Sequence, residues 1–275
     1  MGHGSTGGGL PEPPPPATSC DRDERTELSL AKRAGGGTLG NVFTRKLEQF
    51  VPLGADDRRL LDAVTSRPRQ VAARTDLIRE GDRPGDVHLI LSGFACRYKL
   101  LDDGARQIVA YLVPGDFCDL HVFILNEMDH SIGTLSSCAI VDIPREAVLR
   151  LTERPAIGRA LWWVTLVDEA VLRERVVDLG RRSAERRVAH LFYELLLRLR
   201  AVGLADGDAY ELPVTQSELA DGLGLSNVHL NRVLQSLRGQ GLLAFDGKSV
   251  AIQDPDGLAT LSGFNPNYLH LGRRP

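Results

Sequence analysis

The stretch from Val214 to Asp246, VTQSELADGLGLSNVHLNRVLQSLRGQGLLAFD, constrains the fold more than any other part of the chain. Thr215 is a suitable N-cap, because its hydroxyl can accept one of the orphan N–H groups at a helix start. Glu218, three residues on, completes a capping box. Leu219 and Leu223 then share one helix face. Gly224 can take the left-handed conformation that closes a helix, and Ser226 caps a second one. In that second helix Leu230, Val233, Leu234 and Leu237 form an inward stripe at helical spacing, leaving Asn227, Val228, His229, Asn231, Arg232 and Gln235 outside. Two short helices joined by a tight turn make a helix-turn-helix layout.

Any small helical hairpin can show a capped start and an apolar stripe, so the flanks matter. Gly239 and Gly241 stop the helix, Leu242 to Phe245 reads as a strand, Asp246-Gly247 as a hairpin turn, and Ser249 to Ile252 as the return strand. That hairpin is the wing of a winged helix-turn-helix, and the whole pattern points to binding of double-stranded DNA.

At 275 residues the chain can bury one or two cores. Its net charge of −3 makes no case for nucleic acid, so DNA binding must rest on placed contacts and a dimer. Apolar runs fall short of a membrane span and no signal-peptide pattern opens the chain, which predicts a cytoplasmic location without membrane contact. Cys20, Cys96, Cys118 and Cys138 lie far apart, and are expected as plain thiols holding neither disulfide nor zinc. No nucleophile elbow, phosphate loop or zinc signature suggests an enzyme, and no metal or cofactor is expected.

Residues 1–38, rich in Gly, Pro and charge, read as a disordered tail. Asn41 to Phe50 and Ala55 to Ser66 read as short helices. Many short strands follow between Gly/Pro/Asp turns: Gln70 to Leu77, Val87 to Leu91, Phe94 to Leu101, Arg106 to Val113, Ile132 to Leu135 and Ala139 to Ile143. This spacing predicts a jelly-roll over residues 39–154 and an α+β chain overall. Arg145 to Leu151 reads as a short helix, and residues 155–180 as a long one carrying two apolar stripes. Ala160, Val164, Val167 and Val171 are assigned to pairing with a second chain, and Leu161, Leu172, Val176 and Leu179 form the other stripe. Gly180 is the expected hinge. Residues 181–262 form the winged helix-turn-helix unit, opened by a helix from Ala184 with the basic cluster Arg181, Arg182, Arg186 and Arg187. Leu204 to Tyr210 reads as a turn, and 263–275 as a C-terminal tail.

The β-roll, long helix and C-terminal winged helix together resemble the Crp/Fnr family of bacterial transcription regulators over about residues 40–262. The resemblance is carried by Arg79-Glu80-Gly81-Asp82, Leu91-Ser92-Gly93, Pro114-Gly115-Asp116-Phe117 and the helix-turn-helix through Gly247-Lys248. It implies a double-stranded β-helix of cyclic-nucleotide-binding type, a dimerisation helix, a homodimer on palindromic DNA and contact with RNA polymerase. Arg232 matches the arginine that reads a base edge in the major groove, which its bidentate geometry toward guanine explains. Val228 stands where the family often has glutamate, so the operator is expected to differ from the common one. Thr215, Gln216, Ser217 and Ser226 match positions that grip the DNA backbone, and Lys248 lies in the wing.

Nucleotide-binding relatives carry Gly-Glu after the Gly-Asp-Phe turn, then Arg-Ser or Arg-Thr. Here those places read Asp119-Leu120 and His130-Ser131, a degenerate effector pocket. Leucine cannot hold a ribose hydroxyl, and a neutral histidine poorly replaces a guanidinium fork. The long helix also has no hydroxyl between Thr165 and Ser183 for a base. The expected effector is therefore something other than cyclic AMP, or none. The iron–sulfur cysteine cluster of oxygen-sensing relatives is absent. His88, His121 and His130 are isolated as haem ligands, and the polar loop with Asp119, His121, Asp129 and His130 is expected to be structural. The competing reading is a ligand-sensing module whose winged helix makes protein contacts.

Overall fold

The computed structural model describes residues 1–2, 41–120, 124–125 and 127–272. The expected disordered tail with Cys20, apart from its first two residues, lies outside the described residues, as do His121 and residues 273–275. The chain divides between Gly40 and Asn41, and every element below belongs to the second unit.

Two helices, α1 (Val42–Glu48) and α2 (Ala55–Val64), lead into seven strands: β1 (Arg69–Val71), β2 (Asp76–Ile78), β3 (Asp86–Ser92), β4 (Ala95–Leu100), β5 (Arg106–Leu112), β6 (Ser131–Thr134) and β7 (Cys138–Pro144). They form two antiparallel sheets, in the order β1-β7-β3 and β2-β6-β4-β5. Alternation along the strands sends Val87, Leu89, Leu112, Ile132, Val141 and Ile143 into a core between the sheets. The single strand expected over Gln70 to Leu77 is broken in two, because Arg74 sits in the left-handed region at φ 59°. Helix α1 packs Phe43 and Leu47 into the core of the roll, with Phe43 edge-on to Phe117 at 4.9 Å.

Helix α3 (Arg145–Thr152) precedes α4 (Pro155–Gly180), which Pro155 starts with a preset φ. Next come α5 (Ala184–Ala201), β8 (Ala205–Asp206), β9 (Ala209–Glu211), α6 (Gln216–Leu223), α7 (Asn227–Gly239), β10 (Leu243–Asp246), β11 (Ser249–Ile252) and α8 (Pro255–Ser262). The expected turn over Leu204 to Tyr210 is a small hairpin, which extends the wing into a four-stranded sheet ordered β10-β11-β9-β8.

The residues after α8 do not hang free. Phe264, Tyr268, Leu269 and Leu271, around a 3-10 turn at Pro266–Leu269, fold back on Ala170 and Val171 of α4 and Leu197 of α5. The expected tail is therefore a strap across the junction of α4 and α5. It decides which stripe of α4 is covered. Ala160, Val164 and Val171 are buried within their own chain and Val167 half-buried, so these four are not the partner-facing stripe assigned above. The open face holds Trp162, Leu166, Leu172, Val176 and Leu179, with Trp162 72% and Val176 66% exposed.

Candidate nucleic-acid interface

Local chemistry builds the helix-turn-helix as the sequence suggests. The Glu218 N–H donates to the Thr215 hydroxyl at 3.3 Å, and the Thr215 N–H to the Glu218 carboxylate at 2.7 Å, closing the capping box. Gly224 ends α6 in the left-handed conformation at φ 61°. The Ser226 hydroxyl accepts from the His229 N–H at 3.2 Å and starts α7. Leu230, Val233, Leu234 and Leu237 are buried against α5 and α6. That burial turns Asn227, Val228, His229, Asn231 and Arg232 outward, and all five are exposed. Thr215, Gln216, Ser217 and Ser226 are exposed at the two helix starts, where free N–H groups and the helix dipole favour an anion. Asp246 pairs with Ser249, so Gly247 and Lys248 form the two-residue wing tip, with Gly247 at φ 62°.

Three of the four arginines of the basic cluster before and at the start of α5 are engaged in the chain's own structure. Arg182 bonds Asp178 at 2.8 Å and Glu174 at 2.9 Å, Arg186 donates to the Leu261 carbonyl at 3.1 Å, and Arg187 donates to the Leu223 carbonyl. These arginines fasten α4, α6 and α8 to α5.

Helix α6 is seated on the outer face of the β-roll, a contact that no sequence pattern announced. The Tyr111 hydroxyl donates to the Glu218 carbonyl at 2.9 Å, Gln107 to the Asp221 carbonyl at 2.7 Å, and Arg106 pairs with Asp221 at 2.8 Å. Cys96, Ile108, Tyr111 and Val113 thereby join the core of the winged helix. The available signal was Gly222, a glycine inside a helix, where a side chain would collide with the Tyr111 ring.

The four pocket positions lie in and beside the roll. Asp119 is fully buried and accepts from the His88 N–H and from His88 Nδ1, both at 2.7 Å. His88 Nε2 lies 3.5 Å from Asp142, which Arg69 holds through two bonds. Burial pushes the His88 pKa down, but the bond to Asp119 and the two carboxylates outweigh it, and the net shift is upward. His88 is thus clasped between carboxylates. Leu120 is half-buried, His130 bonds Asp129 at 2.6 Å, and the Ser131 hydroxyl accepts from the Glu80 N–H at 3.0 Å. For His130, burial outweighs the opposing pull of Asp129, and the pKa is lowered. Cys96, Cys118 and Cys138 are free and buried, and burial pushes the Cys96 thiol up to about 12. Among the described residues no group of three His, Cys, Asp or Glu side chains could hold a metal, and no helix is long and apolar enough to cross a membrane.

Two family models match: a cyclic nucleotide-binding domain over residues 68–154 and a Crp-like helix-turn-helix domain over 186–261. The nitrogen fixation regulation protein FixK of Bradyrhizobium diazoefficiens is 30% identical over 177 residues, covering 64% of this chain and 73% of FixK. The transcriptional activator FnrL of Cereibacter sphaeroides is 30% identical over 184 residues, covering 66% and 73%. The chain belongs to the Crp/Fnr family of transcription regulators. The structure of FixK2 from Bradyrhizobium japonicum shares the fold of this Crp/Fnr regulator, with a TM-score of 0.64 at 24% identity over 72% of this chain and 98% of FixK2. Like its relatives, this Crp/Fnr protein is a transcription regulator with a helix-turn-helix DNA-binding domain, and the family is not one of enzymes.

Proposed function

We propose that this regulator is a cytoplasmic homodimer that binds a palindromic operator, inserts α7 of each subunit into the major groove, and needs no cyclic AMP. The observation that carries the reading is the common exposure of two sets of groups. The helix starts at Thr215 and Ser226 offer N–H groups and hydroxyls to phosphates, beside the outer face of α7 with Arg232. Phosphate contacts set register, and the α7 side chains read base edges. The open stripe Trp162, Leu166, Leu172 and Val176 supports pairing with the same helix of a second copy, since a contiguous exposed apolar face of this kind marks an interface. Buried Asp119, committed to His88, and half-buried Leu120 support the exclusion of a nucleotide ribose. RNA polymerase is the implied further partner.

Selection of binding sites from random duplex DNA, with and without cyclic AMP, tests this. The expected result is one two-fold symmetric site with half-sites about one helical turn apart, enriched equally in both conditions. Arg232→Ala should cost about 1–3 kcal/mol of discrimination at one base pair per half-site. Unchanged selectivity would remove α7 from the groove and favour protein contacts by the winged helix.

A further inference from the structure

We propose that Arg97 is a built-in effector: its guanidinium takes the polar centre of the sensor pocket and ties α4 to the β-roll in place of a small molecule. The inference rests on the reading of the chain as a DNA-binding regulator independent of cyclic AMP.

Strand β4 sends its side chains to two different places. Cys96 and Tyr98 turn outward to the core shared with the winged helix. Arg97, opposite Ala110 across the ladder, turns the other way, toward the turn that carries the pocket residues. There its Nε donates to the Cys118 carbonyl at 2.9 Å and Nη2 to the Phe117 carbonyl at 2.8 Å, immediately before Asp119-Leu120. Nη2 also donates to the Asp168 carboxylate on α4 at 3.0 Å. The side chain is 15% exposed. His130 also lies within reach of the guanidinium's charge, which opposes its protonation.

The chemistry of that lining is specific. Two carbonyl oxygens and one carboxylate form a site for a planar cation with several donors, which arginine supplies and lysine does not. The same lining repels a cyclic phosphate. A ligand that activates a protein must bind one arrangement of its parts better than another. Arg97 places contacts of that kind within the chain, because it joins the β-roll to the helix that carries both the open apolar stripe and, past Gly180, the winged helix. Asp168 lies between the buried Val164 and Val171, so the bond is made on the inner side of α4.

The test uses the full-length protein, free of bound nucleotide, and the operator obtained by selection. Wild type is expected to bind without any added small molecule. Arg97→Ala is expected to bind about 5- to 150-fold more weakly, the usual range of coupling between sites. Methylguanidinium at low millimolar concentration should restore it, whereas methylammonium at equal ionic strength should not. Wild-type affinity in folded Arg97→Ala, or a loss that methylguanidinium leaves unchanged, overturns the proposal, as does a wild-type protein that binds only with an added ligand. Should Arg97→Ala fail to fold, Asp168→Asn leaves the guanidinium on its two carbonyls and weakens only the tie to α4. Reduced operator affinity is then expected, and wild-type affinity overturns the proposal. A wild-type protein that selects no DNA at all fails the functional reading instead, so the two failures are distinguishable.

Discussion

Replacing Gly222 by alanine gives opposite answers depending on whether α6 is seated on the β-roll. Within an isolated helix the change should stabilise by about 1 kcal/mol, because glycine loses more backbone freedom on folding. In the folded chain a Cβ at this position would lie 2.7 Å from Tyr111 Cζ and 2.9 Å from Cε2, with the hydroxyl nearer still. Tyr111 is 2% exposed and its hydroxyl is bonded to the Glu218 carbonyl, so the ring cannot move away without breaking that bond. Overpacking of this kind costs about 1–3 kcal/mol. The net effect expected for Gly222→Ala is therefore a destabilisation of up to about 2 kcal/mol. In a Tyr111→Leu background the colliding atoms are gone, and the same change should stabilise by the helix term alone. The two values differ by the overpacking term, which a double-mutant cycle isolates. Urea unfolding of the four proteins, followed by tyrosine and tryptophan fluorescence and by circular dichroism, measures it. If Gly222→Ala stabilises equally in both backgrounds, α6 does not rest on β5 in solution and the shared core is wrong.

Other consequences are accessible to simple measurements. Trp162→Glu with Val176→Glu should give a folded monomer by light scattering, whereas Val164→Glu, at a position 2% exposed, should prevent folding; an unchanged dimer mass in the double variant would refute the open-stripe interface. Deletion of residues 264–275 removes buried Tyr268 and Leu269. It should cost on the order of 3 kcal/mol, since full burial of one large apolar side chain is worth about 1.5–3 kcal/mol; a thermal midpoint equal to wild type would show the strap to be undocked. The raised pKa of His88 makes its contribution to stability complete below the ordinary histidine value of about 6.5. That contribution is lost as pH rises through the raised value. The stability difference between wild type and His88→Asn should therefore shrink as pH increases from about 6 upward, and a difference that grows would refute the clasp by Asp119 and Asp142.

The parts of this fold that were legible in the sequence are those decided by neighbours along the chain. Thr215 with Glu218, Gly224 and Ser226 fix two helix ends through bonds spanning three residues, so a reading of spacing finds them. The alternating strands of the roll are legible for the same reason. Arg74 breaks the first strand without a sequence signal, because a non-glycine residue in the left-handed region looks like any other arginine. Strands of two and three residues, such as β8 and β9, are too short for a period to show. The stripes of α4 pose a different problem. A helix apolar on two sides carries no mark of which side meets its own chain. Here Phe50 stacking on Trp163 at 5.7 Å, and the strap on Val171, make the choice from distant parts of the sequence.

Distant residues also decide the junction between α4 and α5, where Gly180 suggests a free hinge. A side chain at Gly180 would meet nothing within 4 Å, so the glycine itself imposes no closeness there. The two helices are instead joined by charge. Arg175 bonds Asp178 at 3.1 Å and lies 3.7 Å from Glu194, Arg198 reaches Glu194 at 3.2 Å and Asp116 at 2.6 Å, and Tyr268 of the strap donates to Glu194 at 2.9 Å. Asp116 belongs to the Pro114-Gly115-Asp116-Phe117 turn and also binds Lys46 of α1. Burial pushes its carboxyl pKa up, but Lys46 and Arg198 outweigh that, and the net shift is downward. Desolvation offsets most of the attraction in such a buried network, so its net contribution to stability is small, while loss of one member strands an uncompensated charge. What the network secures is geometry. A junction held by fully paired charges has few alternative arrangements of equal energy, so the β-roll, the long helix and the winged helix keep one relation through Asp116, Glu194 and Tyr268 rather than through a stiff backbone at Gly180.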